Sequence, residues 1–314
     1  MNWYSYYEDT ERRFIEYFLQ KGNIWGGETQ GPHAVEYLNR IQGIYGNLHV
    51  ALLKAIPLIE QNRYLWPLWR DTIIRLFNFY DYRGLWREIY DLLTAGIRLS
   101  NQLGDVWAKA IFLFFQARIE SQMGQRESAL SKSSEALRFC GLIRDDGLTA
   151  SLLHFMGMLL SRTDPTRARE HFEQSLAISK RINSMGGQAA TLYEIGRIEE
   201  RAGNILAAQG LYEQALAIFR ELGYPREKAT LLFQLGILRD DLLLLQEALN
   251  IYQALGDLRG YAQSLHQIGN TLKKQGKLSE AKQLYTEAIA IFKRLGAWNS
   301  VESVKRDMLS ISPS

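Results

Sequence analysis

The side chains best suited to catalysis or metal binding are few in this chain, and they are scattered. Five histidines occur, His33, His49, His154, His171 and His266. None stands in a His-Glu-x-x-His spacing, which would set two imidazoles on one helix face beside a general base. His154 and His171 are seventeen residues apart and fall on different predicted helices. The one cysteine, Cys140, rules out an internal disulfide and a zinc site built from cysteine pairs; it reads as a small apolar residue on a helix. No Gly-x-Ser-x-Gly elbow is present, and nothing around Cys140 marks a nucleophile. Acidic pairs stand at Asp145-Asp146, Glu199-Glu200 and Asp240-Asp241. General acid–base work needs carboxylates converging in a shielded pocket, whereas these read as solvated charge at hairpin ends and on polar faces. The expectation is a protein that is not an enzyme and needs no metal or cofactor.

Residues suited to holding a partner recur at a fixed interval, and the elements that carry them repeat with it. Gly157, Gly196, Gly236 and Gly269 each follow an apolar residue, at a spacing of about forty. The stretches 192–223 and 265–296 align landmark by landmark: Leu192, Ile195 and Gly196 with Leu265, Ile268 and Gly269; Gly203 with Gly276; Ala208, Tyr212 and Ala215 with Ala281, Tyr285 and Ala288. Spacings of three and four put these residues on one helix face, and a small residue there lets two helices approach closely. Gly203 and Gly276 then end the first helix of each pair, where glycine accepts a left-handed conformation without steric cost. A helical hairpin of this kind leaves an apolar face bare until a neighbour stacks on it.

This pattern of small and large residues resembles the tetratricopeptide repeat. The resemblance implies an all-α, right-handed superhelical solenoid of hairpins whose first helices line a concave groove. Repeats of that family are commonly shorter, with a proline after the second helix; here the second helix runs longer and ends in Leu-Gly. Toward the N-terminus the pattern decays in register: Ala117 and Phe77 take the small-residue place, Gly124 and Gly84 end first helices, and Ala129 and Ala136 match Ala208 and Ala215. One repeat is short. Gly236 to Gly256 is twenty residues where Gly196 to Gly223 and Gly269 to Gly296 are twenty-seven. The loss is about two helical turns, roughly 10 Å of helix, and predicts a shortened hairpin across 236–256.

Residues 65–296 are thus expected to hold six hairpins. Residues 297–314 form a closing helix and tail, with Trp298, Val301, Val304 and Met308 on one face. Residues 1–64 read as a separate helical bundle: aromatics crowd Trp3 to Phe18, a Gly-rich loop runs from Trp25 to Pro32, and helices span about 33–44 and 47–62, with Pro57 kinking or dividing the latter. Glu16-Tyr17-Phe18, Tyr37-Leu38, Asn47 to Leu52, and the stretch 79–105 are similar to the junction and first hairpin of the repeat sensor arm in multidomain signal-transduction ATPases of the STAND type. No Gly-x-x-x-x-Gly-Lys-Ser/Thr loop accompanies them, so that resemblance implies the sensor arm without its engine.

In the repeat family, the residue after the first landmark of each hairpin faces the groove. Here those residues are Ile74, Phe114, His154, Tyr193, Phe233 and His266. One step along lie Asn78, Arg118, Met158, Arg197, Ile237 and Asn270, and beyond them Arg162, Arg201, Lys273 and Lys274. Aromatic anchors flanked by cations suit a protein or peptide segment bearing acidic groups. The leading expectation is a non-catalytic scaffold or adaptor; the alternative is a regulatory sensor coupled through the N-terminal bundle, whose aromatics could also drive self-association. Thirty-seven basic against thirty-four acidic residues, net +3, is too balanced for a nucleic-acid or membrane-surface protein. The basic surplus lies within 257–314, where nine Lys or Arg face five Asp or Glu, and reads as a solvated face. Without a signal-like start or an apolar run of about eighteen residues, the expected location is the cytoplasm.

Overall fold

The computed structural model describes residues 3–28 and 34–310; the Gly-rich stretch expected at 25–32 lies in part outside them. Among the described residues every regular element is helical: α1 (Trp3–Gly26), α2 (Ala34–Gln61), α3 (Trp66–Arg83), α4 (Trp86–Leu103), α5 (Val106–Gln122), α6 (Arg126–Ile143), α7 (Asp146–Leu160), α8 (Pro165–Arg181), α9 (Met185–Arg201), α10 (Ile205–Leu222), α11 (Pro225–Arg239), α12 (Leu242–Ala254), α13 (Leu258–Lys274), α14 (Leu278–Arg294) and α15 (Trp298–Leu309). A short 3₁₀ turn, Arg63–Leu65, joins α2 to α3. The fold is an all-α helical-hairpin solenoid, and it divides into two compact units, Met1–Asn183 and Ser184–Ser314.

The first unit is built on a large core shared by α1 to α5. Ile15 and Leu19 of α1, Leu48, Leu52 and Ile59 of α2, and Trp69, Ile73 and Phe79 of α3 are fully buried together. Two of its polar groups are paired across helices: the Trp69 indole donates to the Leu52 carbonyl at 2.8 Å and the Thr72 hydroxyl to that of Leu19 at 3.0 Å. The two helices expected at about 33–44 and 47–62 are one, and Pro57 does not divide it. α2 runs through Gly43, Gly46 and Pro57 for 28 residues. Its buried stripe, Ile41, Leu48, Ala51, Leu52, Ala55 and Ile59, spans all three breakers, so tertiary burial outweighs their unfavourable propensity. Beyond this core, α5, α6 and α7 close over Ala110, Leu113, Ala136, Cys140 and Leu152.

The second unit stacks α9/α10, α11/α12 and α13/α14 and ends on α15. A core of Leu245, Leu265, Ile268, Tyr285, Phe292, Val301 and Val304 ties α12 to α15. Trp298, expected on the same face as Val301 and Val304, is instead 63% exposed, at the first position of α15. The hairpin α11/α12 is shorter than its neighbours, and the difference is divided between both helices. Nine positions separate Gly196 from the start of α10 and Gly269 from that of α14, but only six separate Gly236 from that of α12. The rest comes out of α12, which has 13 residues where α10 has 18 and α14 has 17.

Glycine does two distinct jobs in the hairpins. On first helices it is a contact surface: a Cβ at Gly157 would lie 2.7 Å from the Phe172 ring, at Gly196 2.6 Å from Tyr212, and at Gly269 2.6 Å from Tyr285. At helix ends it supplies the left-handed residue, with φ of 70° at Gly84, 84° at Gly203 and 77° at Gly276. The acidic pairs are structural rather than merely solvated. Asp145 caps α7 through the Leu148 N–H and Asp241 caps α12, while Glu200 accepts from the Tyr212 hydroxyl at 2.6 Å.

Candidate partner-binding cleft

The first helices of successive hairpins are joined at their N-terminal ends by aspartates that serve two masters. Asp105, the N-cap of α5, accepts the Ala108 N–H on Oδ1; its Oδ2 takes the Trp66 indole at 2.9 Å and the Arg70 guanidinium at 3.0 Å from α3. Burial pushes the Asp105 carboxyl up, but these three donors outweigh it and hold the group below the usual carboxylate range. Asp145 repeats the arrangement, capping α7 and taking the Trp107 indole of α5 at 2.9 Å. In the second unit Asp257 caps α13 at the Gly260 N–H, and its other oxygen takes Arg226 of α11 at 3.0 Å.

The ladder residues of the first unit spend their side chains on neighbours. Phe114 meets Phe155 edge-on at 5.7 Å. Arg118 lies 4.5 Å above the Phe77 ring and pairs with Asp81 at 3.2 Å. His154 turns back onto Phe172 of its own hairpin, at 5.4 Å, and burial pushes its imidazole down to about 4. Arg162 is exposed in the turn after α7. At the end of the second unit the His266 imidazole bonds Asp307 of α15 at 2.7 Å, and Asn270 accepts from the Tyr285 hydroxyl at 2.7 Å. Lys273 donates to Ser310 at 2.9 Å and Lys274 to Asp240 at 3.2 Å. The grouping of Asn270, Lys273 and Lys274 is thus held by intramolecular bonds.

Three ladder residues do converge on open space. Tyr193 and Arg197 of α9 and Phe233 of α11 border a cleft of about 330 Å³ whose other walls come from α11, α12 and α13. Its aromatic side is Tyr193, Phe233 and Tyr252. The Tyr193 ring packs 5.6 Å from that of Tyr212 and lies beside the Arg197 guanidinium, at 5.8 Å. Arg197 pairs at 3.1 Å with Glu194, which is only 5% exposed; burial pushes that carboxyl up even as Arg197 and Arg201 pull it down. Burial also raises the Tyr193 and Tyr252 hydroxyls, and Tyr252 bonds Thr230 at 3.0 Å. Tyr252 reaches the cleft because Gly260 gives way to it: a Cβ there would sit 2.5 Å from its ring.

The remaining lining, Arg226, Gln234, Asp257, Arg259 and Gln263, was outside the sequence-derived set. A ladder argument follows one position per hairpin, whereas Arg226 and Arg259 each stand second in a first helix, a place the repeat landmarks do not mark. The cleft carries three guanidinium groups and one lining carboxylate, with aromatic faces alongside. That chemistry can bind and orient an anion next to an apolar group. Among the described residues no cluster of three His, Cys, Asp or Glu could hold a metal ion, and no helix is long and apolar enough to cross a membrane.

The sequence pattern of the tetratricopeptide repeat family matches residues 244–294, from α12 through α14. No curated protein matches the chain. Among solved structures, the apo form of RapI aligns with a TM-score of 0.65 at 13% identity, over 90% of this chain and 99% of that one. A Rap protein complexed with Competence and Sporulation Factor aligns at 0.57 and 13% identity, over 96% and 97%. The Pyrococcus horikoshii STAND protein with a tetratricopeptide repeat sensor aligns at 0.59 and 17% identity, over 82% of this chain and 42% of that one. At such identities the likeness speaks for the fold alone. With a tetratricopeptide repeat matched at residues 244–294 and helical hairpins on either side of it, the chain has the fold of a tetratricopeptide-repeat solenoid.

Proposed function

We propose that the protein is a non-catalytic, cytoplasmic interaction module that holds a protein or peptide segment against the first helices of its hairpins, with the cleft of the second unit as the principal contact. One observation carries this reading: Tyr193, Arg197 and Phe233, from two successive first helices, turn toward the same open cleft, where polar side chains of α11 and α13 join them. Rigid aromatic anchors beside hydrogen-bonding groups are the usual makings of a binding hot spot. A cleft of this size holds one or two side chains, so the rest of a partner would lie along the neighbouring helix faces of the same unit. The complex of a Rap protein with Competence and Sporulation Factor is a precedent on the same fold.

A second reading, a regulatory sensor, draws support from α1 and α2. They are buried into one core with the first hairpin, so a change there is felt by the repeat packed against it, and the fold of a STAND sensor is similar. Both readings put a partner on the repeats. Capture from a soluble extract by the wild-type chain and by a Tyr193→Ala/Phe233→Ala double variant, matched for helicity, tests them. A partner lost about tenfold or more by the variant bears out the cleft; equal capture by both moves the contact elsewhere.

A further inference from the structure

We propose that the cleft of the second unit is a receptor for a carboxylate side chain of an extended peptide, and that Arg259 is the residue that meets it. This rests on the reading above that the cleft holds a peptide.

The argument begins with the hairpin junctions. Trp107 and Arg226 each stand second in a first helix, α5 and α11, and each donates to the aspartate that caps the next first helix, Asp145 and Asp257. Arg259 stands second in α13, so the matching partner would be the cap of α15. That cap is Ala297, which has no side-chain acceptor. Arg259 is exposed and has no hydrogen-bond or ion-pair partner among the described residues. A cation in the first turn of a helix also opposes the macrodipole. Arg226 offsets this through Asp257; Arg259 has nothing to offset it.

The other cations of the cleft are already neutralised. Arg197 has Glu194 and Arg226 has Asp257, so the cleft keeps one positive charge, and Arg259 carries it. A guanidinium presents a planar fork that takes a carboxylate through two parallel bonds. Gln263, one turn further along α13, and Gln234 of α11 line the same space and offer amide donors to the same oxygens. The rings of Phe233 and Tyr193, which line the same cleft, would cover an apolar residue beside the acidic one. The ligand that fits is therefore an Asp or Glu with an apolar neighbour, in a chain extended enough to lay both into about 330 Å³.

The test is selection of a displayed library of random twelve-residue peptides on the full-length chain and on its Arg259→Glu variant. Arg259 is exposed and unpaired, so the variant should match the wild type in helicity and thermal midpoint. The expected result is enrichment by the wild type of peptides with one Asp or Glu beside an apolar residue. A synthetic copy of the best peptide should lose about tenfold or more in affinity when its acid becomes the amide, and as much against the Arg259→Glu chain. Its acid-to-Lys copy should prefer the variant. Enriched peptides without an acidic position, or bound equally by both chains, would overturn the carboxylate assignment and leave the peptide reading standing. Failure of the wild type to enrich any peptide would overturn both.

Discussion

Gly196 shows why one residue can set the geometry of a hairpin. The carbon it lacks would stand 2.6 Å from the Tyr212 ring, and Tyr212 is fully buried, so neither side can yield cheaply. Gly196→Ala should cost about 1–3 kcal/mol, as overpacking does, despite the better helix propensity of alanine; urea unfolding of the second unit's helices would measure it, and an unchanged midpoint would refute the close-contact account. His154 makes a different kind of prediction. Burial puts its folded pKa at about 4, below the ordinary value of 6.5. Between those values the unfolded chain binds the proton and the folded chain does not. Stability from this residue is therefore complete above about pH 6.5 and is lost as pH falls toward 4, by on the order of 3 kcal/mol. Unfolding at pH 7 and pH 4.5 should show a smaller loss in His154→Gln than in the wild type; an equal loss would sink the assignment.

Helix ends are where the sequence was hardest to read. The Leu-Gly endings at Gly223, Gly256 and Gly296 were legible, and all three glycines are left-handed, with φ of 68°, 66° and 65°. The equivalent residues after α6 and α8 are Arg144 and Asn183, each with φ of 54°, and no glycine announces them. Asp240 does the same after α11, with φ of 52°. Packing imposes the turn there and the residue bears the strain. Arg144 is exposed, so its side chain has little to lose. Arg144→Gly should raise stability by about 1 kcal/mol, seen as an upward shift in the thermal midpoint, whereas Gly223→Arg should lower it by a similar amount. The unbroken α2 illustrates the reverse error: Gly43, Gly46 and Pro57 announce breaks that its buried stripe overrides. The cleft was half legible for a related reason. Tyr193, Arg197 and Phe233 lie on the repeat's own register, while Arg226, Tyr252 and Arg259 enter it from helix ends, where their reach depends on which residue caps the next hairpin.

At the scale of the molecule, packing within each unit runs mainly from each helix to its neighbours in sequence. In the first unit the exception is the core that gathers α1 to α5, where Trp66, Trp69 and Phe112 form one aromatic cluster and Phe77 stacks on Phe115 at 4.0 Å. That core replaces the small-residue contact of later repeats with large rings, which is why the repeat signal fades toward the N-terminus while the hairpins persist. It also implies unequal resilience. A solenoid of nearest-neighbour contacts opens locally, but a core that five helices share must open together. Gly157→Ala forces a Cβ to 2.7 Å from Phe172 and so strains α7 against α8. Hydrogen exchange read by mass spectrometry should then speed up across α6, α7 and α8, by about tenfold for each 1.4 kcal/mol of local stability lost. Protection of α1, α2 and α3 should hardly change, because their buried side chains belong to a different cluster from that of α7. Uniform acceleration from α1 to α8 would mean instead that the first unit unfolds as one cooperative body.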